Sequence, residues 1–270
     1  MPTYIYRRAK KFPPAGIVIH IPHASTVIPE PFLNGILLPR EALINEAYRS
    51  ADIYCDELYA PETAQGRAPE RVIAKYSRLA CDVERFRDDT LEAGAKKGNG
   101  LFYTHTYFGV EIRKPNAALR EKALTDIYDP HHAALTAAVD RTIAGHGRCL
   151  IIDGHSFGDE PGLGDKLPDF CIGADAEHTP GRLVTEARAF LEGKGFSVAV
   201  NFPFSGAIAP MKYYGRNKNV SSIMIEVNKR LYLKDALGRA KEGGPPEKSE
   251  GFAEIRRVCG ELTNRAAAAL

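Results

Sequence analysis

The stretch CLIIDGHSF, Cys149–Phe157, sets four apolar residues directly before an acid, a glycine, a histidine and a serine. A short, continuously apolar run marks a strand buried on both faces, and such strands belong mainly to parallel sheets covered by helices. CLIID (149–153) has five companions of the same kind: GIVIHI (16–21), RVIAKY (71–76), DFCIG (169–173), FSVAV (196–200) and SIMIEV (222–227). Segments of helical period lie between or after them at 39–60, 117–145, 180–194 and 250–269. The alternation predicts an α/β fold, a single domain over 1–270 with a central mixed, mostly parallel sheet flanked by helices. Segments 88–101, 157–168 and 234–250 are rich in glycine, proline and charge and read as loops.

Composition narrows the function classes. A hydrophobic fraction of 44% and a charged fraction of 26% suit an ordinary globular chain. No apolar run approaches the roughly 20 residues of a membrane span, so a membrane role is not expected. The 36 basic and 34 acidic residues are interspersed, which points away from nucleic acid as a partner. MPTYIYRRAKKFPPAG, at the start, is basic but lacks a following apolar stretch of about 7 to 15 residues, so the cytoplasm is expected rather than export. Five widely spaced cysteines, Cys55, Cys81, Cys149, Cys171 and Cys259, read as reduced core thiols.

Ligands of open α/β sheets collect beyond the carboxyl ends of the strands. Here GIVIHIPHAS ends near His23, CLIIDGHSF in Asp153 and His155, and SIMIEVN in Glu226. Imidazoles and carboxylates gathered at one sheet edge are the donor set of a catalytic zinc site, in which about three protein ligands leave a position open for water. YSRLACDVERFRDD crowds Arg78, Arg85 and Arg87 round Asp82, and guanidinium groups suit bidentate capture of a carboxylate or stabilisation of an oxyanion. On the 39–60 segment Asp52 and Asp56 stand four apart and share a helix face. Asp153 reads equally as an acceptor that orients an imidazole and as a plain strand end. Ser156 sits in GHSFG, which lacks the Gly-x-Ser-x-Gly spacing of a nucleophile elbow. The pair His131 and His132 in YDPHHAAL reads first as capping or first-turn residues and second as a substrate contact, and Tyr232 as core or site.

IPHASTVIP, SADIYCDELYA, SRLACDVERFRDD, IIDGHSF and IEVNKRLY, in order from about residue 17 to 235, resemble the N-formylglutamate amidohydrolase family. They are also similar to the wider zinc carboxypeptidase and aspartoacylase group. The resemblance implies a phosphorylase/hydrolase-like, zinc-carboxypeptidase-like fold holding Zn or another divalent metal. It implies hydrolysis of a small anionic N-acyl amino acid, N-formylglutamate to formate and glutamate foremost, in histidine catabolism. Carried over by residue, His23 and His155 look like metal ligands and Glu226 like the general base. Arg78 resembles the arginine that polarises the scissile carbonyl, and Arg85 the one that holds a substrate carboxylate, with Arg113 from GVEIRKP as a second anchor. A carboxypeptidase-like peptidase or other deacylase, and a non-catalytic binding protein, are the competing readings.

Two positions depart from the related pattern. Three residues after His23, where a glutamate ligand is usual, stands Thr26. The third ligand is then expected from Asp52 or Asp56, with Asp52 favoured because Asp56 beside Glu57 reads as a solvated acidic patch. Glu84 occupies the place of a usual asparagine. An acid there is expected to repel an anionic substrate or to pair with Arg85 or Arg87.

Overall fold

The computed structural model describes residues 4–7, 16–60, 69–107, 109–158, 163 and 166–269. Its strands are β1 (Tyr4–Arg7), β2 (Ile17–Ile21), β3 (Glu70–Ala74), β4 (Cys149–Phe157), β5 (Phe170–Gly173), β6 (Val198–Val200) and β7 (Val220–Asn228). The helices are α1 (Glu30–Leu33), α2 (Arg40–Ser50), α3 (Cys55–Leu58), α4 (Ala117–Ala123), α5 (Asp129–His146), α6 (Gly181–Gly193) and α7 (Phe252–Ala268). All seven strands join one sheet in the order β1-β3-β2-β4-β7-β5-β6. Four neighbouring pairs are parallel, and only β1–β3 and β5–β7 are antiparallel, which is the mixed, mostly parallel α/β sheet expected.

Alternating side chains cover the two faces of the sheet. Ile17, Ile19, Leu150, Ile152, Ile223 and Ile225 pack with residues of α3, α6 and α7. Val18, Val72, Cys149, Ile151 and Val220 pack on Ala134, Leu135, Ala138 and Val139 of α5. All five cysteines are free and buried.

The connection from β2 leads to β3 on one side, whereas β4 lies on the other. Strand order therefore reverses between β2 and β4, and a crevice opens there at the carboxyl ends of the strands. The register deepens it. The β2 pairing of β4 ends at His20↔Asp153, while β7 accompanies β4 as far as Phe157↔Asn228.

Three elements differ from their expected form. The strand in CLIIDGHSF does not stop at Asp153 but runs through Phe157, because β7 supplies ladder partners along all nine residues. The 39–60 helix breaks at Ala51–Tyr54: the Asp52 amide bonds the His23 carbonyl at 2.9 Å instead of continuing the helix, and Tyr54 adopts a φ of 68°. The 117–145 helix contains a π turn, Leu124–Tyr128, just before Pro130, whose missing N–H and bulky ring disfavour a regular α turn. The expected loop at 157–168 lies partly outside the described residues.

Candidate active site

Asp153 and His155 are two apart on β4, so their side chains leave the same face of the sheet. The register sets His20 of β2 beside Asp153 and Glu226 of β7 beside His155. These polar residues continue the face that packs on α5, at the end where the apolar residues stop. Gly154 between them is demanded by packing on the reverse face: a Cβ there would meet Ile21 Cδ1 at 2.7 Å and the Tyr59 ring at 2.7–2.8 Å. The Tyr59 hydroxyl lies 2.6 Å from the Ile225 carbonyl and 3.2 Å from that of His155, tying the ring to both strands.

His23, two residues beyond β2, meets this face from the side. Its Nε2 lies 2.8 Å from Asp82 Oδ1, and Nδ1 of His155 lies 2.9 Å from Asp52 Oδ2. The remaining ring nitrogens, His23 Nδ1 and His155 Nε2, are buried with no hydrogen-bond partner among the described residues. Both face Glu84 Oε2, at 3.7 and 3.1 Å. One donor atom each from His23, Glu84 and His155 lie within 4.8 Å of one another. Two orphaned imidazole nitrogens facing a carboxylate, each ring held at its far nitrogen by another carboxylate, fit a divalent metal well.

The geometry thus distributes the expected ligands differently. Asp52 lines the same cavity, its Oδ2 2.9 Å from His155 Nδ1 and 3.6 Å from His23 Nδ1, while Asp56 is not among the lining residues. Glu84 brings a further carboxylate beside the two imidazoles. It pairs with neither expected arginine: Arg85 approaches Asp82 and Glu92, and Arg87 pairs with Asp129. Thr26 offers no carboxylate, and Glu84 from the loop after β3 brings one to face His23 and His155.

Charge accounts for the ionisation of the cluster. Burial alone would raise the Asp82 carboxyl, yet the Arg78 guanidinium, then His23 and Arg85, hold it well below the usual range. Arg78 reaches Asp82 Oδ2 through Nε at 3.1 Å and Nη2 at 2.9 Å, and the Tyr103 hydroxyl donates to the same oxygen at 3.0 Å. Burial favours a neutral His155, but the charges of Glu84 and Asp153 outweigh it and push its pKa well up. The pocket therefore favours positive charge at this place.

A second row stands behind. His20 Nδ1 lies 2.8 Å from Asp153 Oδ1, and His20 Nε2 lies 2.8 Å from His131 Nε2 on α5. His132 turns the other way, donates from Nε2 to the Val83 carbonyl at 2.8 Å and lines the cavity. His131 and His132 are thus tied into the site rather than simple helix-start residues. Ser156 and Tyr232 are bound to each other at 2.7 Å, with the Tyr232 hydroxyl also 3.1 Å from the Ile53 carbonyl and fully buried, a packing role.

The cavity measures about 510 Å³ and takes in His23, Asp52, Arg78, Glu84, Arg85, Asp153, His155 and Glu226, with Ser205–Ala209 and Tyr214 opposite. Arg113 is not brought there. It is 1% exposed and stacked 4.5 Å from the Phe102 ring, its guanidinium nitrogens without a hydrogen-bond partner among the described residues, and burial pulls its pKa down to about 10. A residue so enclosed cannot anchor a substrate in this cavity. His20 was not singled out in the sequence; its signal was its place inside an apolar strand, in phase with Val18.

Donor side chains at the switch point of a mostly parallel sheet, with a further carboxylate and two arginines over one cavity, define an α/β protein of the hydrolase class. Residues 15–233 match the family model of N-formylglutamate amidohydrolase, and the chain belongs to that family. It is 26% identical over 227 residues to an N-formylglutamate deformylase of Pseudomonas aeruginosa, covering 80% of this chain and 82% of that one. The fold is shared with an N-formylglutamate amidohydrolase of Ralstonia eutropha (TM-score 0.79, 22% identity, 99% of this chain and 98% of the other). It is shared also with a gene product of Agrobacterium tumefaciens (TM-score 0.68, 17% identity, 99% and 94%). No helix among the described residues is long and apolar enough to cross a membrane.

Proposed function

We propose that the chain, acting as one catalytic unit over 1–270, hydrolyses the amide bond of N-formylglutamate to formate and glutamate with the help of a divalent metal. The observation that carries this reading is the pair of orphaned nitrogens, His23 Nδ1 and His155 Nε2, facing Glu84 beside Glu226 in one cavity. His23, His155 and Glu84 would hold the metal, zinc being suited to such donors. When bound, it supplies a Lewis acid and lowers the pKa of water from 15.7 toward roughly 7.

The chain's own groups do the rest. Glu226 stands next to His155 in the β4–β7 register, placed to take a proton from the attacking water and return it to the leaving amine nitrogen. Arg78 is held by Asp82 through Nε and Nη2, which leaves Nη1 to meet the oxygen of the tetrahedral intermediate. Arg85 touches Asp82 and Glu92 only at 3.4 and 3.5 Å, loosely enough to turn its fork to a substrate carboxylate. Because Glu84 directs its charge at His23 and His155, the repulsion expected at the arginine clamp is reduced.

The cavity volume of about 510 Å³ lies within the range for drug-sized ligands, and Phe86 and Met211 are exposed at its edge. That width favours, as a second reading, a longer N-acyl group on the same amino acid. A panel of N-formyl, N-acetyl and dipeptide substrates assayed for amine release, with Glu226→Gln beside the wild type, tests both. Glutamate release from the formyl compound, lost in Glu226→Gln, supports the first reading; activity on dipeptides alone overturns it.

A further inference from the structure

Glu84 has two carboxylate oxygens, and they look at different partners. Oε2 faces His23 and His155, as described. Oε1 lies 3.8 Å from His20 Nδ1, and His20, Glu84 and Asp153 form a second group whose donor atoms lie within 4.8 Å of one another. We infer that the cavity binds a second divalent cation, on His20 Nδ1, Asp153 and Glu84 Oε1, with Glu84 bridging it to the first. The inference rests on the metal reading above.

Each donor is arranged as a ligand would be. Asp153 takes the Ile208 amide on Oδ2 at 3.3 Å, so Oδ1 is the oxygen turned to His20. His20 is engaged at its far nitrogen by His131, the outer partner that fixes the ring of a ligating histidine. A cation bound here would take the Nδ1 lone pair that otherwise meets Asp153, with the ring proton carried on Nε2 toward His131. The two sets also abut: the unpartnered, buried His155 Nε2 lies 3.2 Å from Asp153 Oδ1. A carboxylate spanning two such sets matches paired-metal hydrolytic sites, whose ions stand about 3.5–4 Å apart.

Charge points the same way. Asp52, Glu84, Glu92, Asp153, Asp175 and Glu226 line the cavity together with Arg78, Arg85 and the imidazoles of His23, His132 and His155. Among the described residues six carboxylates face two arginines there, an excess that bound divalent cations offset. With one imidazole and two carboxylates, the second set is harder than the first and accepts Mn²⁺, Co²⁺ or Zn²⁺.

The test is metal stoichiometry rather than turnover. Metal-free full-length protein is dialysed against Zn²⁺ and, separately, Co²⁺, and the bound metal per chain is counted by elemental analysis for the wild type and for Asp153→Asn, with circular dichroism to confirm folding. Two equivalents in the wild type and one in Asp153→Asn are expected, with magnetic coupling between the two Co²⁺ ions in the wild type only. One equivalent in the wild type at saturation overturns the second site and leaves the first standing; none overturns both. Two equivalents retained by folded Asp153→Asn overturn the assignment of its ligands.

Discussion

Asp52 Oδ2 lies 2.9 Å from Nδ1 of His155, on the side of the ring away from Glu84. The same oxygen lies 3.6 Å from His23 Nδ1, and in the proposed site the aspartate orients the His155 imidazole rather than adding a donor. Asp52→Asn is expected to weaken metal binding by about 10- to 100-fold, the usual effect of losing such an outer partner. Chelator competition measures it. A complete loss of binding equal to that of His155→Ala would mean that Asp52 ligates directly.

Glu226 shares a register position with His155 and is 6% exposed. If it moves the proton, Glu226→Gln lowers kcat by roughly 10²- to 10⁴-fold. Bound metal stays unchanged in the same preparation. Steady-state kinetics with elemental analysis separate this from loss of the metal, and a variant with near-normal kcat removes Glu226 from the reaction.

Gly154 links the two polar residues of β4 and has the Tyr59 ring against it. Gly154→Ala forces a Cβ into that contact, and overpacking of this kind costs about 1–3 kcal/mol. The urea midpoint is expected to fall with the m-value unchanged. An unaltered midpoint is inconsistent with the packing described.

His132 is held neutral by burial, which outweighs its bond to the Val83 carbonyl and pulls its pKa down to about 4. Unfolded histidine titrates near 6.5. Between these values the unfolded chain binds a proton that the folded one refuses, so stability is fully present above about pH 6.5 and falls as pH is lowered toward about 4. The loss amounts to about 3 kcal/mol at ~1.4 kcal/mol per unit. His132→Gln should flatten this slope, with His131, also held neutral by burial, contributing what remains. Denaturant titrations of both proteins across the window decide it; parallel pH slopes would count against His132.

The central strands were legible because β2, β3, β4 and β7 carry continuous apolar runs, which only a sheet covered on both faces explains. β1 was not, being four residues long and paired at the sheet edge, with too little pattern to separate it from a loop. His23, His155, Glu226, Arg78 and Arg85 were readable at strand ends and in the arginine cluster, and the fold brings them to one cavity. Glu84 was noticed only as a misfit, since its role depends on how the loop after β3 folds over the β2–β4 crevice. His20 was hidden by its apolar neighbours, and a backbone bond to His23 ends the helix to which Asp52 was assigned, leaving Asp52 beside both histidines. Arg113 shows the converse: a basic side chain in a polar motif can be fully enclosed against an aromatic ring, and composition does not reveal that.

The central claim is that the His23–Glu84–His155 site carries metal-dependent removal of the formyl group from N-formylglutamate. Formate release from N-formyl-L-glutamate, followed in the purified protein before chelation, after it and after Zn²⁺ is restored, tests this most directly. The account predicts release, loss and recovery in that order. Release that persists in fully metal-free protein, or no release from the Zn²⁺-loaded protein, would contradict it.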